Sequence, residues 1–341
     1  MRRDTIAPPS AEQQTAKSRG AALAKKVNKD RIVKFFRGSR DKNGFIKTFA
    51  IYALLICIGF IYLYPMLKML ATSFMSQNDL LDSSIRWIPS GFNISNYRQA
   101  MTATSTNYWT ALLQSFIIAG VPTLFTLVSC SLTGYGLATF KFRGRGVIIG
   151  LIVLAFVLPR QVTMIPTYGL YSRLGINQTL WTFILPAAFA NGLNASIFIL
   201  IFWQFFRTVP RSLIEAAKID GAGDLRIFFR IALRSAAPAF ITVALFCFVW
   251  HWNEAYLTQL YVQGKMVTNN QWTTVIIQLE QFSSNAGGTQ YSQTASTGAN
   301  KLSEAIKMAA SLLAVLPLII IYGVFQRHFV ESIDRTGITG E

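Results

Sequence analysis

The segment TVPRSLIEAAKIDGAGD, residues 208–224, lies between two long apolar runs and carries the residues that begin and end a short helix. Ser212 followed by Glu215 has the spacing of a capping box, in which each side chain accepts a hydrogen bond from the other residue's backbone N–H. Gly221 and Gly223 are residues of the kind that end a helix. The pattern therefore predicts a helix of two to three turns, which is too short to be stable alone.

The face of this predicted helix combines small and charged residues. Ala216 and Ala217 allow another backbone to approach closely, and Glu215, Lys218 and Asp220 bracket them. That combination suits insertion into a groove on another protein. A plain connector between two membrane spans is the alternative.

The composition of the whole chain indicates a membrane protein. Of its 341 residues, 52% are hydrophobic and only 14% are charged, which is outside the usual range of soluble domains. A transmembrane helix needs about 20 apolar residues. We therefore predict an all-α membrane protein with six transmembrane helices, at about 48–73, 110–140, 147–170, 182–204, 237–258 and 304–326.

The basic residues indicate the orientation of these spans, because Lys and Arg concentrate on the cytoplasmic side of membrane proteins. Alternate connections hold 24 of the 32 basic residues, and the intervening connections hold five. Both termini are therefore predicted to be cytoplasmic. The net charge is +17, but the basic residues lie between apolar runs instead of on a soluble surface, so no nucleic-acid partner is expected. The basic connections are 1–47, 141–146, 205–236 and 327–341, and the others are 74–109, 171–181 and 259–303.

The basic N-terminal tail, residues 1–47, is too long and too charged for a cleavable signal peptide. Residues 1–27 lack apolar content and are predicted to be disordered. Within 28–40, Ile32 and Phe35 recur at helical spacing among basic residues. This stretch is either an interfacial helix on an anionic leaflet or a solvated charged tail.

The rest of the chain is predicted to be one transmembrane domain, 48–326, and a cytoplasmic C-terminal tail, 327–341. The outer loop 74–109 carries enough aromatic residues to pack as a small cap near the headgroups. The outer loop 259–303 contains a polar run, 283–300, which predicts a flexible loop.

No catalytic, nucleotide-binding or metal-binding motif is recognisable in the sequence. The two histidines, His251 and His328, are far apart in the chain, and the three cysteines lie inside apolar runs, where they are expected to be small buried side chains. The chain is therefore not expected to be an enzyme, and no catalytic residue or metal ligand is assigned. The cysteines are Cys57, Cys130 and Cys247.

Two glycine pairs lie near the inner end of the second span and could be mistaken for a phosphate-binding loop. They are Gly134 with Gly136, and Gly144 with Gly146. A tight turn at the end of the span explains both pairs better.

The residues Glu-Ala-Ala-Lys-Ile-Asp-Gly-Ala at 215–222 resemble the EAA loop of permease subunits in binding-protein-dependent ABC importers. Several further motifs occur in the order of that family, and a set in the right order is more specific than any single match. Together they resemble the carbohydrate-uptake permeases of the maltose type, specifically the six-span partner of the pair, over about 48–335. The further motifs are PRQVTMIP at 159–166, QFFRTVP at 204–210, WHWNE at 250–254, MAAS from 308 and QRHFV at 326–330.

This resemblance implies the ABC importer type I permease architecture and a multi-pass protein of the bacterial cytoplasmic membrane. The chain would pair with a second permease subunit and import a carbohydrate, expected to be an oligosaccharide, delivered by an extracytoplasmic solute-binding protein. Two ATPase subunits would hold MgATP, and this chain would bind no cofactor itself. The resemblance assigns coupling to the ATPase to Glu215, Ala216, Ala217, Asp220, Gly221 and Ala222.

The sequence departs from the family pattern in two ways. Arg234 stands where the family usually has proline, so the bend after the loop is expected to rest on Pro238. The tail 1–47 and the run 283–300 have no counterpart in the family core, and no role is assigned to them.

Polar residues within the spans are the candidates for a substrate pathway. Pro159 should break or kink the third span near the middle of the bilayer, and Arg160 at that depth must face water, a carboxylate or free carbonyl groups. Glu254 is the only carboxylate inside the fifth span, so either it pairs with Arg160 or both line a pathway. A structural role at the membrane interface is the alternative for 252–254. The candidates are Arg160, Gln161, Asn191, Asn194, Trp252, Asn253 and Glu254.

Other functions remain open at the level of sequence. An ion-coupled secondary transporter would need intramembrane carboxylates, and Glu254 stands nearly alone. A membrane-anchored scaffold would explain the basic tail but not the short helix around Glu215. An ABC importer permease for a solute other than a sugar is the third alternative.

Overall fold

A computed structural model of the protein separates residues 1–68 and residues 69–341 into two compact units. The tail predicted to be disordered, 1–27, lies outside the described residues. The structure describes residues 38–39, 42–43, 45–82, 84, 87–102, 107–263, 272–286 and 297–337.

The first unit contains a short antiparallel ladder. Strand β1, Gly38–Ser39, pairs with strand β2, Lys42–Asn43. The interfacial helix predicted over 28–40 therefore does not reach residues 38 and 39, where the backbone is extended. Residues 28–37 lie outside the described part of the chain.

Helix α1, Phe45–Ser73, corresponds to the first predicted span. Most of its apolar side chains between Phe49 and Leu67 are exposed on the protein, as expected of a span that faces lipid or a partner. Cys57 is exposed as well. The prediction that this cysteine is buried in the protein is wrong, because an apolar run in a membrane helix need not face a protein core.

The spans divide into straight and broken helices. Within the described residues, three helical stretches are each long and apolar enough to cross a membrane alone: 47–73, 108–139 and 304–327. Three further pairs of helices meet that criterion only when each bent pair is counted together, which gives up to six spans. The predicted all-helical membrane fold is therefore confirmed, but not with six straight helices.

A cap segment, defined here as residues 74–102, follows α1 and contains two short helices. Helix α2 is Gln77–Leu81 and helix α3 is Ser95–Thr102. Asn96 is fully buried, and its Nδ2 donates to the carbonyl oxygens of Ser73 and Met75. These bonds hold α3 against the end of α1.

The main core forms where helix α4, Tyr108–Thr139, crosses two later helices, α8 (Ala195–Thr208) and α12 (Ala237–Asn253). Gly134 lies at the crossing of α4 and α8, where an added Cβ would come within 2.6 Å of the Phe202 Cβ. The turn predicted at Gly134 and Gly136 is therefore wrong, since both lie inside α4 and Gly134 serves close helix approach.

The third predicted span is broken, as its proline predicts. Helix α5, Arg145–Val157, and helix α6, Arg160–Arg173, meet at Pro159 with a bend of 100°. The predicted turn before α5 is confirmed at Gly144, whose φ of +89° suits glycine.

The fourth predicted span, 182–204, is not one helix, and that prediction is wrong. Helix α7, Trp181–Ala188, ends before an irregular stretch that leads to α8. Ala190 and Asn194 in that stretch have φ of +54°, which a continuous helix does not allow. The stretch includes Asn191-Gly192, a dipeptide that commonly marks turns.

The chain between α8 and α12 forms an EAA segment, defined here as residues 209–236. It contains helix α9 (Arg211–Ile219), helix α10 (Asp224–Ile227), a π-helical turn (Phe228–Ala232) and helix α11 (Leu233–Ser235). Helix α9 is bent by 74° from α8, and the stretch 224–235 is bent by 79° from α12. The second bend falls at Ala236 with Pro238 in the first turn of α12, as expected where Arg234 replaces the usual proline.

The C-terminal part begins with helix α13, Ala255–Thr258, and a π-helical turn, Gln259–Gln263. Helix α14, Val275–Ala286, and helix α15, Thr297–Gly337, follow. Both ends of the loop predicted over 283–300 are therefore helical, and residues 287–296 lie outside the described part.

Candidate functional site

Helix α9 begins two residues earlier than the capping box predicts, at Arg211 instead of residue 213. Pro210 occupies the N-cap position, and no side chain caps the helix. The predicted reciprocal bonds between Ser212 and Glu215 are therefore absent, and that prediction is wrong. The physical reason is that Pro210 has no N–H to satisfy and its fixed φ already suits the start of a helix.

The end of α9 follows the sequence prediction. Gly221 has φ of +78°, and its N–H donates to the Lys218 carbonyl at 3.0 Å. The Ala222 N–H donates to the Ala217 carbonyl at 2.9 Å. These two bonds form a Schellman motif, which depends on the left-handed conformation of the glycine.

The surface of α9 is unusually open for an amphipathic helix. None of its residues is buried, and the apolar Leu213 and Ile219 are exposed, the latter at 86%. Glu215 and Ala216 lie on the same open surface. Only Ile214 packs against the main core. Apolar side chains that the protein leaves uncovered on a short helix are typical of a protein-binding site.

The EAA segment is attached to the core at its second half. Ile227 and Phe228 are 1% and 3% exposed. The Phe228 ring lies 5.1 Å from Tyr135 of α4 and 6.1 Å from Phe206 of α8, centroid to centroid. Tyr135 and Phe206 also contact each other edge to face at 5.4 Å. This aromatic cluster joins the segment to two spans.

One ion pair lies within the EAA segment. Lys218 Nζ is 3.4 Å from Asp224 Oδ1, and both side chains are about half exposed. An exposed pair contributes little to stability. The pair therefore orients α9 against α10 only weakly.

The second site is called the polar hinge here and comprises Arg160, Gly192 and Asn194. It lies where the breaks of the third and fourth spans meet. Arg160, the first residue of α6, donates from Nε to Asn194 Oδ1 at 3.2 Å and from Nη2 to the Gly192 carbonyl at 3.3 Å. Of the predicted pathway residues, the structure thus brings Arg160 and Asn194 together. Gly192 was not predicted, although the Asn191-Gly192 dipeptide signals a break that would free its carbonyl.

Glu254 does not form the ion pair with Arg160 that was one of the two predictions. Its Oε1 instead accepts a hydrogen bond from the Leu257 N–H at 3.0 Å and caps α13. Among the described residues the ion pair within 4.0 Å is Lys218 with Asp224. The pairing prediction is wrong, because the break at Glu254 leaves N–H groups that take its carboxylate first.

Trp252 is a packing residue in this conformation. It is 2% exposed, its Nε1 donates to the Ala314 carbonyl at 3.2 Å, and its ring meets Phe116 edge to face at 5.1 Å. This favours the structural alternative over sugar contact for Trp252. The other candidates Gln161, Asn191 and Asn253 are exposed.

A buried histidine in the core has no counterpart in the sequence predictions. His251 is 2% exposed, and its Nδ1 lies 2.9 Å from the Cys247 carbonyl oxygen one turn earlier. Its ring meets Phe183 edge to face. Within the described residues no three His, Cys, Asp or Glu side chains come together as a metal site. His251 therefore serves packing.

The class of protein follows from these features: a multi-pass helical membrane protein whose spans carry a bent, exposed helical segment. Residues 131–335 match the family described as "Binding-protein-dependent transport system inner membrane component". This match covers more than half of the chain, and the chain belongs to that family of ABC importer permeases.

Relatives and a solved structure agree with this assignment. The chain is 30% identical over 283 residues to the polygalacturonan/rhamnogalacturonan transport system permease protein YtcP of Bacillus subtilis, covering 83% of this chain and 94% of the relative. It is 28% identical over 301 residues to the arabinooligosaccharides transport system permease protein AraQ of Halalkalibacterium halodurans, covering 86% and 99%. A crystal structure of a bacterial ABC transporter involved in the import of the acidic polysaccharide alginate has the same fold, with TM-score 0.69, 21% identity and coverage of 85% and 98%.

Proposed function

We propose that this chain forms half of the translocation pathway of an ATP-driven carbohydrate importer in the bacterial cytoplasmic membrane. Two relatives whose names state a carbohydrate substrate, YtcP and AraQ, support an oligosaccharide as the transported solute. The distribution of basic residues supports cytoplasmic termini and a cytoplasmic EAA segment. In this arrangement 48–326 is the permease domain and 205–236 is its coupling loop.

The partners follow from the same proposal. A second permease subunit completes the pathway, an extracytoplasmic solute-binding protein delivers the sugar, and two ATPase subunits bind and hydrolyse MgATP. In this proposal the nucleotide and the covalent chemistry belong to the ATPase subunits, and this chain binds no cofactor itself. It contributes to the transport cycle by changing conformation.

The observation that carries the proposal is the contrast within the EAA segment between an open helix and a buried attachment. Helix α9 buries none of its residues and exposes Ile219, whereas Phe228 is enclosed by Tyr135 and Phe206. A partner that binds α9 can therefore move α4 and α8, because the close packing around Phe228 transmits the displacement to both helices. Closing of the ATPase subunits on MgATP would switch access to the pathway through this contact.

The residues of α9 and its C-terminal turn have distinct roles in docking. Glu215 supplies charge at the contact, and Ala216 and Ala217 leave room for the partner's surface. Asp220, Gly221 and Ala222 form the turn that holds α9 at its angle, since the turn depends on the φ of +78° at Gly221.

The test uses two substitutions in the EAA segment of the complete importer. Glu215→Lys reverses a charge at the docking face, and Gly221→Pro forces a negative φ and removes the N–H that donates to Lys218. Both variants should insert at normal levels and lose sugar-stimulated ATP hydrolysis. Glu304→Lys, a charge reversal at an exposed residue of α15, is the matched control and should keep it. Normal ATPase binding and transport in both EAA variants would reject the docking role.

A further inference from the structure

The polar hinge carries an unusual charge for the interior of a membrane domain. Arg160 lies at the break in the third span, and its two hydrogen-bond acceptors, the Asn194 side chain and the Gly192 carbonyl, are both neutral. No carboxylate lies within 4.0 Å of it among the described residues. A cation in this position costs free energy unless an anion or water compensates it.

The hydrogen bonds of Arg160 use only part of its guanidinium group. A guanidinium carries five N–H donors in a planar fork. Nε and Nη2, which lie on one edge, are bonded to Asn194 and Gly192. The described residues provide no partner for the three remaining N–H groups, which lie on Nη1 and Nη2. That free end has the geometry that binds both oxygens of a carboxylate.

The hinge also fixes the position of the guanidinium. Asn194 is held in the left-handed region with φ of +54°, and a Cβ added to Gly192 would lie 3.1 Å from the Ala187 Cα. The two acceptors are therefore set by backbone conformation and close packing. A charged group that is positioned before its ligand arrives loses less entropy on binding.

The acidic partner that the sequence predicts for Arg160, Glu254, does not neutralise this site by contact. Glu254 accepts a hydrogen bond from the Leu257 N–H as the cap of α13. An anion that reached the polar hinge would therefore find Arg160 with its free donors, rather than an ion pair that it had to break.

We propose that Arg160 is a specificity-determining residue that binds carboxylate groups of the transported solute, so that the substrate class is acidic oligosaccharides. This inference rests on the proposed carbohydrate transport. Sugar hydroxyls are the alternative ligands, and they would gain one hydrogen bond from Arg160 without the charge. The two ligand classes differ in whether removal of the substrate's charge changes uptake.

The experiment compares two probes in the complete importer reconstituted in proteoliposomes. The probes are trigalacturonate and its trimethyl ester, which has the same ring geometry without charge. ATP-driven uptake of the acid should exceed that of the ester by about tenfold or more, because hydrogen bonds between charged groups are stronger than neutral ones. Uptake is expressed as the ratio of acid to ester, so that expression level and the binding protein affect all variants equally.

Three substitutions then assign the preference to Arg160. Arg160→Gln should reduce the acid-to-ester ratio about tenfold, and Arg160→Lys should retain part of it. Asn194→Asp places a carboxylate on the guanidinium and should also reduce the ratio, which keeps the test valid if Arg160→Gln does not fold. Arg173→Gln, at the exposed far end of the same helix, is the matched control and should leave the ratio unchanged.

The outcomes separate this inference from the proposed function. An acid-to-ester ratio near one in the unmodified importer, or a ratio that neither Arg160→Gln nor Asn194→Asp changes, would overturn it. Uptake of a neutral arabinotriose without uptake of either uronate probe would overturn it and leave carbohydrate import intact. Failure to import any of these sugars would overturn this inference, whereas the proposed function is tested separately by sugar-stimulated ATP hydrolysis in the EAA variants.

Discussion

The cap segment and the EAA segment are both short helical connections between spans, but the protein covers the cap segment and leaves much of the EAA segment exposed. In the cap, Asn96 is fully buried and Ser76 and Asp79 form a reciprocal capping box. In the EAA segment, α9 buries no residue and has no side-chain cap. The cap is held by hydrogen bonds from a buried side chain, Asn96 Nδ2, whereas α9 relies on its attachment at Phe228.

This difference shows what distinguishes a structural connection between spans from a docking surface. Both segments have residues that begin and end helices, so local sequence signals are similar. What differs is whether tertiary contacts cover the helix. A segment that is tightly attached at one end and open at the other is suited to receive a partner, because its surface is free and its attachment transmits force.

The largest expected effect is at that attachment. Phe228→Ala removes a ring that is 3% exposed and contacts Tyr135 and Phe206, and should lower the free energy of unfolding by about 3–5 kcal/mol. The adjacent Phe229 is 60% exposed, so Phe229→Ala should change stability by only about 0.5 kcal/mol. Thermal unfolding of the purified variants measures both. Equal effects would mean that the EAA segment is not anchored through this side chain.

The second prediction concerns the hydrogen bonds that hold the cap segment against α1. Asn96→Ala leaves the buried carbonyl groups of Ser73 and Met75 without their donor and should cost about 1–3 kcal/mol. Gln99→Ala on the exposed side of α3 is the control and should be nearly neutral. The same unfolding measurement applies, and a neutral Asn96→Ala would show that this side chain does not hold α3 against the end of α1.

The third prediction is an acid sensitivity of the cap. The Ser90 hydroxyl and the Ser76 N–H donate to the Asp79 carboxylate and hold the pKa of Asp79 below its ordinary value of 3.8. Because the folded pKa is lowered, the stabilisation is present above pH 3.8 and is lost as the pH falls through the folded value. Hydrogen exchange of residues 76–81 should therefore rise in that range. Asp79→Asn should remove this pH dependence, and Asp224→Asn should not.

The smallest effect is expected at the ion pair of the EAA segment. Lys218→Ala breaks a half-exposed contact with Asp224 and should change stability by less than about 1 kcal/mol. A larger loss would show that α9 is held by this pair and is less dependent on a partner than its open surface indicates.

The sequence predicts the parts of this fold that depend on composition and on special backbone residues. Apolar runs locate the spans, and Pro159 locates the break in the third one, because a proline cannot donate within a helix. Gly221 predicts the end of α9, since its positive φ needs a glycine. These signals act locally and are therefore visible in one sequence.

Features that depend on tertiary packing are not visible in the same way. Ala190 and Asn194 adopt positive φ without being glycine, so the break in the fourth span has only the Asn191-Gly192 dipeptide as a signal. Gly134 resembles a turn residue but serves helix crossing. Trp252 resembles a sugar-stacking residue but is buried against Phe116. In each case a neighbour far away in the chain decides the role.

Hydrogen exchange of the permease pair with and without its ATPase subunits shows whether the EAA segment is the docking surface. ATPase binding should slow exchange in peptides covering 211–222, where α9 is exposed, and should leave exchange in 76–102 unchanged, because contacts within the protein already protect the cap. Protection of the cap, or unchanged exchange over 211–222 in a complex that hydrolyses ATP, would contradict the claim that the EAA segment is the docking surface.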